Sequence, residues 1–106
     1  MPEVRGELRL PEGTAPISAA RVVVRIEDVT YQDAVAPALA EWVREGLEWR
    51  GGAIEFRMDA PDWEAARDVA LSVRLETGGD RRRVYWNPEV CPVKPGEYLR
   101  VRLAAG

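Results

Sequence analysis

The stretch Ala20–Asp33 reads ARVVVRIEDVTYQD. Ala20, Val22, Val24 and Ile26 alternate with Arg21, Val23, Arg25 and Glu27, a period of two that belongs to a β-strand with one buried face and one partly wet face. Past Glu27 the alternation gives way to Asp28, Thr30, Gln32 and Asp33, residues whose side chains bond nearby backbone in turns. The strand therefore predicts its own end in a polar corner bracketed by two aspartates. The remaining segments can be read as partners for it.

Upstream, Val4, Gly6, Leu8 and Leu10 fall opposite Arg5, Glu7 and Arg9, a first strand that Pro11 and Gly13 stop. PEGTAPIS, Pro11–Ser18, is a loop long enough to carry the chain between sheets. Downstream of Gly51-Gly52, Ile54, Phe56 and Met58 alternate with Glu55, Arg57 and Asp59. Pro61 ends that strand, and Asp62-Trp63-Glu64 predicts a turn or two of helix capped by Asp62. Val69, Leu71, Val73 and Leu75 against Ala70, Ser72, Arg74 and Glu76 give the cleanest alternation in the chain. Gly78-Gly79-Asp80 then predicts a hairpin into a strand from Arg83 to Trp86, in which Trp86 shares an inward face with Val84. Asn87-Pro88 ends it, Cys91–Gly96 is proline-punctuated, and Leu99, Val101 and Leu103 mark the last strand.

One segment reads two ways. In Val35–Trp49, Leu39, Val43 and Leu47 recur every four residues among good helix formers, the pattern of an amphipathic helix. Against that, Pro37 disfavours helical geometry at Ala36, Gly46 weakens the second half, and Leu39, Glu41, Val43 and Glu45 also fit a strand. Periodicity leaves both readings open.

Composition narrows the function. A chain of 106 residues that is 46% hydrophobic and 31% charged predicts one globular domain over residues 1–106. A net charge of −3 is too weak a field to steer nucleic acid or an anionic surface. No apolar run approaches membrane-spanning length, and Met1-Pro2-Glu3-Val4 has neither the basic nor the apolar region of a signal peptide, so the sequence as written predicts a cytoplasmic location. One cysteine precludes an intramolecular disulfide, and the absence of histidine removes Ser-His-Asp and Cys-His catalysis and every His-containing zinc site.

The remaining clusters have plain structural readings. Asp28 and Asp33 could meet around a hard cation, though each is better explained as a turn cap. Asp59, Asp62, Glu64 and Asp68 surround a turn without any sign of the cleft that acid–base catalysis needs. Arg81-Arg82-Arg83 beside Tyr85 and Trp86 could hold phosphate or single-stranded nucleic acid, but on a hairpin shoulder such arginines discourage edge pairing. Cys91 has no base to activate it and reads as a structural thiol. Of the four tryptophans, Trp49 beside Gly51-Gly52 and Trp63 after Pro61 are the candidates for a partner-binding surface.

The ordered set of GELRLPEG from Gly6, VVVRIEDVTYQDA over Val22–Ala34, APALAE from Ala36, IEFR from Ile54 and Pro92-Val93 before Gly96 resembles the YbaY/YscW-like family of small bacterial domains. The resemblance covers nearly the whole chain, from about Val4 to Leu103, through motifs that are individually short. It implies an immunoglobulin- or transthyretin-like sandwich and a strand over Ala38–Arg44. Members of that family are mostly envelope lipoproteins, some of them pilots for type III secretion channels. The sequence departs from the pattern in having no lipobox cysteine near Met1, so no lipid anchor is expected from it as given.

These readings converge on an all-β, antiparallel two-sheet sandwich of about seven strands, with a core of Leu8, Val22, Val24, Ile26, Ile54, Phe56, Leu71, Val73, Val84 and Val101. The expected function is a non-catalytic interaction or accessory module without cofactor, working through a protein partner or self-association. The alternative is a small-ligand or metal-binding domain using Asp28 and Asp33.

Overall fold

A computed structural model describes residues 3–30, 36–64, 66–79 and 82–106. Among them the chain forms nine strands and no helix, and seven of the strands are three residues or longer. They are β1 (Glu3–Arg9), β2 (Ile17–Asp28), β3 (Ala38–Trp49), β4 (Ile54–Asp59), β5 (Val69–Glu76), β6 (Val84–Trp86), β7 (Cys91–Pro92), β8 (Tyr98–Arg102) and β9 (Ala104–Ala105). One sheet runs β4-β1-β8, and the other runs β3-β2-β5-β6-β9 with β7 paired to β5. The all-β two-sheet architecture is the one the alternation predicts. Its pairings are antiparallel except one: β1 and β8 run parallel, Gly6 opposite Leu99 and Leu8 opposite Val101.

The inner face of the small sheet contributes Val4, Leu8, Ile54, Phe56, Met58, Leu99 and Val101. The large sheet answers with Ala20, Val22, Val24, Ile26, Leu71, Val73, Leu75 and Tyr85. All the core residues expected from the sequence are buried except Val84. Register explains the exception, because Tyr85 lies opposite inward Leu75 while Val84 and Trp86 lie opposite outward Glu76 and Arg74. Tyr85 is therefore the core residue of β6, and Trp86 stays 40% exposed.

The ambiguous segment is a strand, longer than Ala38–Arg44. It pairs antiparallel with β2 from Ala38 to Trp49. Pairing with a strand that must be covered on both edges overrides the local helical preference. Three register shifts reconcile the sequence with the pleat: Ala20 pairs Leu47 and Val22 pairs Arg44, so β3 holds an extra residue where Gly46 takes φ 68°, and Ile26 pairs Ala40 while Glu27 pairs Ala38, so β3 holds another near its start. β2 holds one between Ile17 and Ala20, where Ala19 takes φ 53°. Leu47 is turned into the core while Val43, four residues earlier, is exposed, so the helical spacing of Leu39, Val43 and Leu47 does not mark one face.

The outward faces are charged and internally paired. Arg21–Glu45, Arg25–Glu41 and Arg74–Glu76 lie on the large sheet, at 3.1, 3.5 and 2.6 Å. Arg9–Glu7 and Arg57–Glu3 lie on the small one, at 2.6 and 2.9 Å. Hydrogen bonding to Arg9 holds the Glu7 carboxyl below its ordinary value, and Arg100 adds to the same effect. Such exposed pairs keep a face solvated and contribute little stability.

Gly6 sits in the middle strand of the small sheet, where a Cβ would run into the Leu99 carbonyl oxygen and lie 2.9 Å from the Phe56 ring. Because β1 is paired on both sides, the backbone cannot retreat. Gly6→Ala is expected to lower stability by about 1–3 kcal/mol through overpacking. Urea denaturation checks this, and a variant as stable as wild type would show that the sheets separate more easily than their packing implies.

Candidate functional site

A broad concavity lies beside the first half of β5. It is an open groove of about 920 Å³, walled on one side by Trp63, Arg67 and Asp68 and on the other by Pro88–Val90 and Pro92–Pro95. That volume is in the range of ligand and peptide sites. Val90 stands on the rim with 79% of its surface exposed, and Val93 is buried beneath. Arg67 and Lys94 bring positive charge to the walls, Asp68 and Glu89 negative charge. No catalytic pairing arises from this lining, which offers apolar surface, a tryptophan edge and balanced charge.

The wall carrying Trp63 is set by the corner at the end of β2. Asp28 accepts hydrogen bonds from the Thr30 amide at 3.0 Å and the Thr30 hydroxyl at 2.5 Å. Thr30 Oγ1 in turn accepts the Asp68 amide at 3.0 Å, and the Val29 amide donates to the Asp68 carbonyl at 2.8 Å. These bonds bind the Asp28 corner to the approach to β5. Among the described residues no helix follows Pro61: Asp68 is held by Val29 and Thr30, and the expected helix is represented by a turn closed by the Arg67 amide on the Glu64 carbonyl, 2.9 Å.

The Asp28 carboxylate is thus committed to the fold. Its bonds to Thr30, with Arg67 3.7 Å away, hold its carboxyl below the ordinary aspartate value of 3.8. A cation would have to displace that arginine. Asp33, the other half of the candidate metal pair, lies outside the described residues. Among the described residues no group of three acidic or cysteine side chains is arranged to hold a metal ion.

The opposite wall depends on Asn87, which the sequence marks only as a strand terminator. β5 is covered at one end of its outer edge by β6 and at the other by β7, and between them the backbone leaves the sheet. The Asn87 amide fills the gap as a peptide group would. Its Oδ1 accepts from the Val73 amide at 2.9 Å, and its Nδ2 donates to the Leu71 carbonyl at 2.9 Å and the Glu89 carbonyl at 3.3 Å. The signal available in the sequence was the interruption itself: a strongly alternating β5 faces an Asn-Pro break where a partner strand should continue.

The structure does not bring the two candidate tryptophans together. Trp63 packs partly against the core beside the groove. Trp49 pairs with Ile17 at the other end of β2, its Nε1 donating to the Gly52 carbonyl at 2.9 Å. Cys91 pairs with Leu71 in β7, where burial pushes its thiol up, away from nucleophilic character. Arg82 and Arg83 are exposed on the β5–β6 hairpin, while Arg81 lies outside the described residues. No helix among the described residues is long and apolar enough to cross a membrane.

Because the folded-state Asp28 carboxyl is more acidic than usual, its charged form stabilises the fold. That contribution is complete above the ordinary value and is lost as pH falls from there through the lower value of the folded state. Asp28→Asn is therefore expected to melt below wild type at neutral pH, with the gap closing as pH falls below the ordinary aspartate value of 3.8. Thermal midpoints across that range check it, and a gap independent of pH would assign the Asp28 contribution to shape alone.

No family model matches the chain, and no curated protein does. Among solved structures, the chain is similar to an alternative pilotin from the type II secretion system of Vibrio cholerae, with 19% sequence identity and a TM-score of 0.75. The match covers 98% of this chain and 96% of that one, and at this identity it shows a shared fold.

Proposed function

We propose that this protein is a non-catalytic accessory module of the pilotin kind, which uses the groove between Trp63 and the Pro88–Pro95 segment to engage a protein component of a secretion assembly. The observation that carries the proposal is the end-to-end likeness in fold to a secretion-system pilotin, 98% of one chain against 96% of the other. The YbaY/YscW-like sequence pattern supports the same reading, since that family includes secretion pilots.

The site chemistry is consistent with recognition. An apolar lining with one tryptophan and a few flanking charges is how a protein partner is bound and oriented. The broad face of the large sheet suits it less, because Arg21, Arg25 and Arg74 on it already pair with Glu45, Glu41 and Glu76.

In the host, loss of this protein is expected to leave the secretion channel unassembled, and the purified protein is expected to capture a channel subunit. Trp63→Ala should weaken that capture at least tenfold by calorimetry, while Trp49→Ala, at the far end of the sandwich, should leave it unchanged. Normal channel assembly without the protein, or capture indifferent to Trp63, would overturn the proposal.

A further inference from the structure

We infer that Asn87–Pro95 is a strap that opens from β5 as a unit while the rest of the sandwich stays folded, with the Asn87 side chain as the latch that sets its closed position. This holds whatever partner the groove takes.

The strap is tied to the sheet at few points. Pro88, Pro92 and Pro95 have no amide proton to donate, so it cannot form a continuous ladder with β5. Its ties are the Asn87 amide, the two-residue β7, and the Val93 amide on the Val69 carbonyl at 2.9 Å. Val93 is its one large side chain in the core, whereas Val90 is almost wholly in water. At the far end, the Glu97 amide closes a turn on Lys94, and Gly96 takes φ 81° with open space where a side chain would be. That is a backbone position able to absorb a rotation.

Segments with few buried apolar contacts and isolated hydrogen bonds open at a free energy well below that of global unfolding. Opening this one frees the Val69 and Leu71 carbonyls and the Val73 amide, and it moves one wall of the groove. Asn87 has the leading part because its side chain makes two of the bonds to β5, a third to Glu89 within the strap, and sits where the strap leaves β6.

Hydrogen exchange of the native protein in increasing, sub-denaturing urea tests this. The Val73 and Val93 amides are expected to exchange at least 100-fold faster than those of Val22–Ile26 in central β2, with little dependence on urea. In Asn87→Ala the Val93 amide, which Asn87 does not touch, should exchange at least tenfold faster again. Val73 and Val93 protected as well as β2 with the same steep urea dependence would overturn the inference, as would a Val93 rate unchanged by the substitution. Should Asn87→Ala fail to fold, the wild-type comparison decides alone.

Discussion

Strand β2 is hydrogen-bonded on both edges, to β3 and to β5, while Ala20, Val22, Val24 and Ile26 have no exposed surface on its inner side. A slip of one residue in either pairing would turn those four side chains to water and bring Arg21, Val23 and Arg25 inward. Burying three large aliphatic side chains contributes roughly 1.5–3 kcal/mol each. Register is therefore fixed here, and the neighbours adapt. β5 matches β2 without irregularity from Arg21–Glu76 to Asp28–Val69. β3 matches it only with bulges, and the positive φ of Ala19 and Gly46 is the local cost of keeping Leu47 and Trp49 on the correct side.

How much of the fold was legible follows from how strictly each strand alternates. β2, β4 and β5 announce themselves because strict alternation records a buried face directly. β3 does not, because a bulge resets its phase at Gly46, so Leu39, Val43 and Leu47 have the spacing of a helix without sharing a face. β6 has three residues, too few for alternation to declare which side is inward, and the hydrophobicity of Trp86 points to the wrong one. The parallel contact of β1 with β8 joins segments nearly a whole chain apart, and no local pattern encodes such a pairing.

The site divides along the same line. Asp28 and Thr30 were legible as a turn because their chemistry is local, two residues apart. That this turn also holds Asp68, and through it the wall of a groove, depends on a contact 38 residues away. Trp49 and Trp63 looked alike in sequence as aromatic residues beside turns. Only the antiparallel course of β2 and β3 separates them, sending one to the Ile17 end and leaving the other beside Val29. Asn87 shows the converse: an ordinary strand-ending residue becomes structural because β5 has backbone groups that nothing else reaches.

Those backbone groups constrain what the groove can do. An exposed strand edge invites an extended peptide to add to the sheet, and sheet proteins guard against it. In the closed form Val69, Leu71 and Val73 of β5 all have partners on their outer side, supplied by Val93 and Asn87. The edge of β3 is guarded differently, by exposed Glu41, Arg44, Glu45 and Glu48 and by the twist its bulge imposes. With the outer edge of β5 occupied, recognition at the groove falls to side chains. Specificity then rests on the fit of a partner between Trp63 and the proline-rich wall, whose position one asparagine side chain sets.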